Sequence, residues 1–340
     1  MSFIIGLLLV IISALSVGTS AWPLKACKQY SMEHVLFFCM VFGLLFLPWL
    51  TMFCICDVRE VFASLNVRDV ILSNIFSLAW GIANVLCYIC YVKIGFVITG
   101  VLLNGASLIV ATLVPFVIKG GGVFSRSPDL LSKDGIISIV AVVIIFLAIL
   151  ILTKASNLRD TFLGKKQETS NLTKFQKIFY YLVAFVGGLL STGIVLINTY
   201  CGHSFNSAME KAGVDSPLKG VCLWAVGMLL GIFVNIIYSL CLMYKNHSFG
   251  KLWCFKEFVW ACCDGFQFYL YLMLFGFGTL LIGPLGASIG NGVADSMIFS
   301  GKLFVGLAFG EWKEVKGKPV KVFIIGLIIL FFGIILLSFK

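Results

Sequence analysis

The 340-residue chain is 60% hydrophobic and only 12% charged, with a net charge of +10 and a mean hydropathy of +1.07. This balance excludes a water-soluble packed domain. It excludes a nucleic-acid footprint as well, because the positive charges lie at the ends of apolar runs and form no single patch.

Apolar runs of about 20 residues, enough to cross a hydrocarbon layer of about 30 Å as helices, recur along the chain. Ten spans are expected. The first, roughly 2 to 22, has neither a basic leader in MSFIIG nor a clear cleavage site, and reads as a helix rather than a secretory signal. Spans over 34–55, 70–91 and 94–118 follow, the last two split only by Val92 and Lys93 and so forming a tight hairpin. A fifth covers 135–153.

The polar run SNLRDTFLGKKQETSNLTKFQK, 156–177, reads as a cytoplasmic linker between two units, 1–155 and 178–340, of five helices each. The second unit carries spans over 178–199, 218–244, 258–281, 284–309 and 320–339, with a second hairpin split near Gly283 and Pro284. Five spans is an odd number, so a duplicated unit inserts in opposite orientations, and the expected architecture is all-α with two inverted repeats. The hairpin segments YVKIGFVITGVLLNGASLIVATLVP and LFGFGTLLIGPLGASIGNGVADSMI share small-residue patterning and an NGAS/LGAS core. Odd-numbered loops carry twice as many Lys and Arg residues as the even loops and tails, which predicts that they face the cytoplasm and that both termini lie outside.

The twelve cysteines are scattered through the spans. Cys87 and Cys90 form a CxxC, but no companion His or Cys pair completes a zinc set, so they read as small apolar fillers and no cofactor or metal is expected.

Three runs are recognisable. WPLKACKQYSMEHVLFFCMVFGLLFLPW, then AWGIANVLCYICYVKIGFVITGVLLNGASLIVATLVP, and finally EWKEVKGKPVKVFIIGLIIL resemble the L-rhamnose/proton symporter family of the drug/metabolite transporter superfamily. The most specific elements are Trp80-Gly81 with Asn84, the Gly95/Gly100 hairpin ending at Pro115, and Gly310-Glu311-Trp312. The resemblance implies a ten-helix transporter of the plasma (inner) membrane type that moves a sugar inward with a proton. Asp264, Asp295 and Lys302 stand outside the pattern that carries it.

Polar side chains at membrane depth are costly and usually face a cavity, so they are the candidate site residues. Trp80, Asn84 and Tyr88 fall at i, i+4, i+8, one helical stripe offering a flat aromatic face, an amide and a phenol. Sugar recognition needs that combination, an apolar platform for ring C–H groups beside donors and acceptors for hydroxyls. Asp264, Gln267 and Tyr271 share a face of the eighth span, and Asn291, Asp295 and Lys302 a sector of the ninth. Asn104 is a further amide; interhelical packing is the alternative role for each.

Proton coupling needs a carboxylate that changes its protonation as its surroundings dry and flood. Asp295 is the first candidate by depth, with Asp264 and Lys302 completing the set. Lys302 is seven residues, about 10.5 Å of rise, beyond Asp295, so a direct salt bridge requires the lysine to fold back. A neutral structural network is the alternative for this pair.

The expected function is therefore proton-coupled uptake of a sugar such as L-rhamnose or a related deoxy-hexose, with sugar, proton and bilayer as partners. The alternative is export or exchange of another small metabolite on the same architecture. Neither HExxH nor GxSxG occurs, so a membrane-embedded enzyme is not expected.

Overall fold

The computed structural model describes residues 2–164, 172–215 and 217–338; the central part of the predicted linker, 165–171, lies outside the described residues. Among the described residues the chain is all helix, with no strand. Eight helices are long and apolar enough to cross a membrane. Six of these come first: α1 (Ser2–Ala26), α2 (Met32–Ile55), α3 (Val67–Ile94), α4 (Phe96–Val117, qualifying over Ile98–Val117), α5 (Lys133–Phe162) and α6 (Lys174–Lys211). The next segment, α7, is a pair, Pro217–Gly227 and Leu229–Lys245, bent by 56°, and counts as a ninth span if taken as one. Then come α8 (Phe255–Ile282), α9 (Gly286–Ala308) and α10 (Lys318–Ser338), of which α8 and α10 complete the eight.

The helix α9 has 23 residues, but its glycines together with Asn291, Asp295 and Lys302 leave it less apolar than the others. α5 runs on to Phe162 and α6 begins at Lys174, so helix enters the polar segment from both sides. Side chains set these starts. Ser132 Oγ accepts the Gly135 N–H at 3.1 Å, and Thr173 and Gln176 form a reciprocal capping box.

The two hairpins turn at glycine. Gly95 between α3 and α4 has φ +82° and Gly283 between α8 and α9 has φ +89°, backbone conformations that a side chain would strain. The first hairpin therefore breaks at Gly95, slightly beyond the Val92-Lys93 position expected from charge.

α1 packs against both α8 and α9, and α6 packs against both α3 and α4. α2 lies on α8 and on α7, α7 on α3, α4 on α9, α5 on α10 and α4, and α10 on α9. Lipid tails are as apolar as leucine, so these contacts rest on close backbone approach more than on burial. Gly43 of α2 meets Gly265 of α8, and Gly81 of α3 meets Gly231 of α7.

Both α2 and α7 are irregular at mid-depth. In α2 a π-helical stretch, Cys39–Phe46, precedes Pro48, which has no N–H to continue the ladder. In α7 the break at Met228 frees backbone groups that cannot stay unpaired in hydrocarbon. α3 satisfies them. Ser77 Oγ donates to Met228 O (2.7 Å) and accepts from Gly231 N (2.9 Å), while Asn74 donates to Val226 O (2.9 Å) and accepts from Leu230 N (3.1 Å).

Candidate functional site

The two hairpins, α3/α4 and α8/α9, bring most of the polar mid-depth residues to one region. Trp80 is 5% exposed, and its ring lies 6.0 Å from that of Phe268 on α8. Phe268 meets Tyr271 edge-on at 5.9 Å, and Tyr271 stacks on Phe275 at 5.4 Å. Trp80 and Tyr271, expected from opposite halves of the chain, thus belong to one aromatic run joined by Phe268. Phe268 was missed because a phenylalanine in an apolar span carries no polar signal.

Tyr271 in turn lies within electrostatic reach of Asp295 on α9. Asp295 receives Ser107 Oγ of α4 at 3.5 Å, the outer limit of a hydrogen bond. Lys302 lies within electrostatic reach of Asp295 and of Cys87 of α3, yet the ion pairs among the described residues do not include a direct Asp295–Lys302 contact. The lysine does not fold back fully, as the rise between the two residues anticipates.

Three amides in this region keep unused capacity. Asn84 and Asn104 are half-buried, and their side-chain amides make no hydrogen bond among the described residues. Asn291 is buried; its Nδ2 donates to Ala287 O and, at 3.5 Å, to Ala111 O of α4, while its Oδ1 has no partner. A buried acceptor left unpaired costs about 1–3 kcal/mol, which a hydroxylated ligand would recover.

The remaining candidates point elsewhere. Tyr88 packs on Tyr238 of α7 and on Tyr91, each at 6.3 Å, at the other end of the Trp80 stripe. Asp264 has Ser20 of α1 and Cys39 of α2 as its near donors. Gln267 donates to Thr19 of α1 at 3.1 Å and leaves its buried Oε1 unpaired. A groove of about 680 Å³ between α1, α2 and α8, walled by Trp22, Phe42, Phe258 and Phe266, meets the candidate set only at Gln267.

Charged groups that spacing did not single out link the ends of α1, α5, α8 and α9 and the start of α2. Glu311, after α9, accepts from both Lys25 of α1 and Arg159 of α5, the latter at 2.6 Å. Burial alone would raise the Glu311 carboxyl, but Lys25 and Arg159 outweigh it and hold the group below its ordinary range. Glu257 at the start of α8 accepts the backbone N–H groups of Lys28, Gln29 and Tyr30 at 2.8, 3.1 and 3.2 Å. Glu33 accepts from Asn246 and Ser248, and His34 Nδ1 accepts the Ser31 N–H, which leaves Nε2–H to donate to Ser248 O at 3.0 Å. Burial and the nearby Glu257 push the Cys27 thiol up to about 11, so it stays unionised at neutral pH.

Ser127 Oγ, between α4 and α5, donates to Pro284 O, between α8 and α9, at 2.7 Å, and Lys119 ties the α4–α5 connection together through Ser127 O, Pro128 O and Asp129.

Residues 1–339 match the family described as L-rhamnose-proton symport protein (RhaT). The chain is 23% identical over 331 residues to proteins named L-rhamnose-proton symporter from Citrobacter koseri and from Salmonella paratyphi A. Each of these matches covers 94% of this chain and 93% of the relative.

Proposed function

The chain belongs to the L-rhamnose-proton symport protein family, and on that premise we propose that it is a secondary transporter carrying a sugar, L-rhamnose or a related deoxy-hexose, across the membrane together with a proton. It is a transporter and not an enzyme. The observation that carries the sugar reading is the aromatic run Trp80–Phe268–Tyr271, contributed by both halves, beside the buried unpaired amide oxygen of Asn291 and the half-buried amides of Asn84 and Asn104. Flat apolar rings suit the C–H faces of a pyranose, and amides that donate and accept suit its hydroxyls.

The architecture in this reading is ten spans in two inverted repeats, with α7 one broken span and α9 the ninth crossing. Exchanging each helix for the one five positions away supports it. The α1 contacts with α8 and α9 become the α6 contacts with α3 and α4; α2 on α8 becomes α7 on α3; α4 on α5 becomes α9 on α10. The glycine meeting Gly43–Gly265 maps onto Gly231–Gly81, and the hairpin glycine Gly95 onto Gly283. α9 crosses in spite of its polarity because its polar face is turned to protein, where a less apolar helix is tolerated.

In the same reading the odd loops face the cytoplasm of a plasma (inner) membrane, with both termini outside. The links among loops one, five, seven and nine at one end, and between loops four and eight at the other, support that alternation. Trp80, Asn84, Asn104, Tyr271 and Asn291 form the substrate region in this reading, Tyr88 and Gln267 lie away from it, and Asp264, Asp295 and Lys302 are the ionisable set from which coupling is drawn.

The test is uptake into proteoliposomes under an imposed pH gradient, with L-rhamnose first and other deoxy-hexoses, hexoses and pentoses beside it. Sugar-dependent proton flux is expected. Its absence across the panel would overturn the reading, and uptake without proton movement would favour an exchanger.

A further inference from the structure

The groove of about 680 Å³ between α1, α2 and α8 lies away from the sugar region, and transport as proposed above makes no use of it. Trp22 and Pro23 of α1, Phe42 of α2, and Phe258, Trp260 and Phe266 of α8 build its wall. Among its lining residues, amide and hydroxyl groups enter only where Gln267 Nε2 donates to Thr19 Oγ1 at 3.1 Å. Trp22, Val259 and Phe266 are 45%, 42% and 50% exposed, so the groove opens outward to lipid rather than inward to the helix bundle. Nine residues, about 13.5 Å of rise, separate Phe258 from Gln267, which takes the groove from one membrane boundary toward mid-depth.

Two lysines stand at its mouth. Lys256 is the second residue of α8, and Val259, Trp260 and Cys263 of the groove wall follow it at i+3, i+4 and i+7, so all four share one face. Helical side chains lean toward the N-terminus, which carries the Lys256 ammonium past the end of the wall toward water. Lys28 comes from the first loop and is fixed beside the start of α8, because Glu257 accepts its backbone N–H at 2.8 Å. Phe255 and Trp253, 76% and 91% exposed, flank Lys256 and mark the level of the headgroups, where aromatic rings concentrate.

The carboxylates at this end are already engaged. Glu257 accepts three backbone N–H groups, Glu33 accepts from Asn246 and Ser248, and Glu311 from Lys25 and Arg159. Lys28 and Lys256 are both exposed, and neither forms an ion pair among the described residues. An apolar slot open to lipid takes a hydrocarbon chain. Two unpaired ammonium groups at its mouth take a phosphate that brings no cation of its own.

We propose that this groove binds an anionic phospholipid, with one acyl chain along Trp22, Phe42 and Phe266 and the phosphate held by Lys28 and Lys256. A zwitterionic lipid fills the same slot but carries its own ammonium to the two lysines. Free phosphate has the charge without the chain. The bound lipid fastens α1 and α2 to α8, joining the two halves of the chain at the membrane boundary. This assignment rests on the membrane-spanning fold and not on the transported solute, so it stands or falls separately from the uptake experiment.

The test uses the full-length protein in mild detergent and follows quenching of its tryptophan fluorescence by phosphatidylglycerol or phosphatidylcholine with brominated acyl chains, since Trp22 and Trp260 line the groove. Phosphatidylglycerol is expected to bind the unaltered protein more tightly than phosphatidylcholine, and added salt to shrink the difference. The joint variant Lys28→Gln with Lys256→Gln is expected to weaken phosphatidylglycerol alone, by about fivefold for each lysine. Val259→Phe, which fills the groove and leaves the lysines in place, is expected to weaken both lipids. Equal binding of the two lipids by the unaltered protein overturns the assignment, as does a lysine variant that keeps the preference. Quenching unchanged in Val259→Phe overturns the groove as the chain site, and displacement of the lipid by millimolar inorganic phosphate would make the lysines a free-phosphate site instead. A dimer that binds neither lipid and dissociates in Val259→Phe would give the groove to a second copy of the chain. Melting temperature is a readout that needs no groove variant: phosphatidylglycerol is expected to raise it more in the unaltered protein than in the lysine variant, and equal rises overturn the proposal.

Discussion

The Arg159 guanidinium lies 2.6 Å from one oxygen of Glu311, while the other oxygen receives Lys25. Arg159 also sits 5.3 Å above the Trp312 ring, and Trp312 packs on Phe323 of α10 at 4.4 Å. Lys25 and Glu311-Trp312 belong to two runs nearly 300 positions apart in the chain that carry the family resemblance, WPLK and GEW. They meet as one clamp across α1, α5, α9 and α10.

This clamp makes stability depend on pH in a defined direction. Glu311 is held below its ordinary value of 4.5, so its contribution is complete above that value and is lost as pH falls through the lower folded value. Glu311→Gln is expected to lower stability by about 1 kcal/mol at neutral pH, a modest figure because the pair is partly exposed. It should also remove the acid-side loss. Thermal unfolding of the purified protein from pH 7 downward reads both; equal acid sensitivity in the variant would mean that Glu311 is not the titrating group.

The glycine meetings between helices predict a sharp contrast among alanine variants. A Cβ on Gly81 would stand 2.7 Å from Gly231 Cα and O, atoms that yield only if α3 and α7 separate. Gly81→Ala is expected to destabilise by about 1–3 kcal/mol, the usual cost of overpacking, and to slow uptake. Gly100→Ala, where the nearest atom is Asn104 Nδ2 at 4.0 Å, should leave stability unchanged. Melting temperatures of the two variants side by side decide it.

Glu257 holds three backbone N–H groups of the first loop at once. Glu257→Ala strands all three, and a loss of about 2–3 kcal/mol is expected. Glu257→Gln keeps one carbonyl acceptor and should lose less. Protease accessibility of the Lys28–Tyr30 segment is an independent readout, with cleavage rising most in the alanine variant.

Trp80 is the platform on which the sugar reading rests. Trp80→Ala is expected to raise the half-saturating sugar concentration by about tenfold, equivalent to 1.4 kcal/mol, and Trp80→Phe by less, since a smaller ring still covers part of the sugar face. Concentration series of uptake at fixed pH measure this. An unchanged half-saturation in Trp80→Ala would remove Trp80 from the site.

The helical class, the family and eight of the ten expected spans, nine with the bent pair, were legible in the chain itself, because a bilayer admits only segments that satisfy their own backbone and hydropathy reports their length. Spacing also fixed which residues share a helix face, as with Trp80, Asn84 and Tyr88. What stands opposite each face was decided by the tertiary structure. Trp80 meets Phe268, Tyr88 meets Tyr238, Asp264 turns to α1 and α2, and Asp295 turns to α4. The breaks in α2 and α7, and the Ser77 and Asn74 side chains that satisfy α7, were equally hidden in an apolar run. The physical reason is that lipid-facing and protein-facing surfaces of a membrane helix are alike in apolarity, so periodicity shows a helix's faces and only the packing of its neighbours assigns their partners.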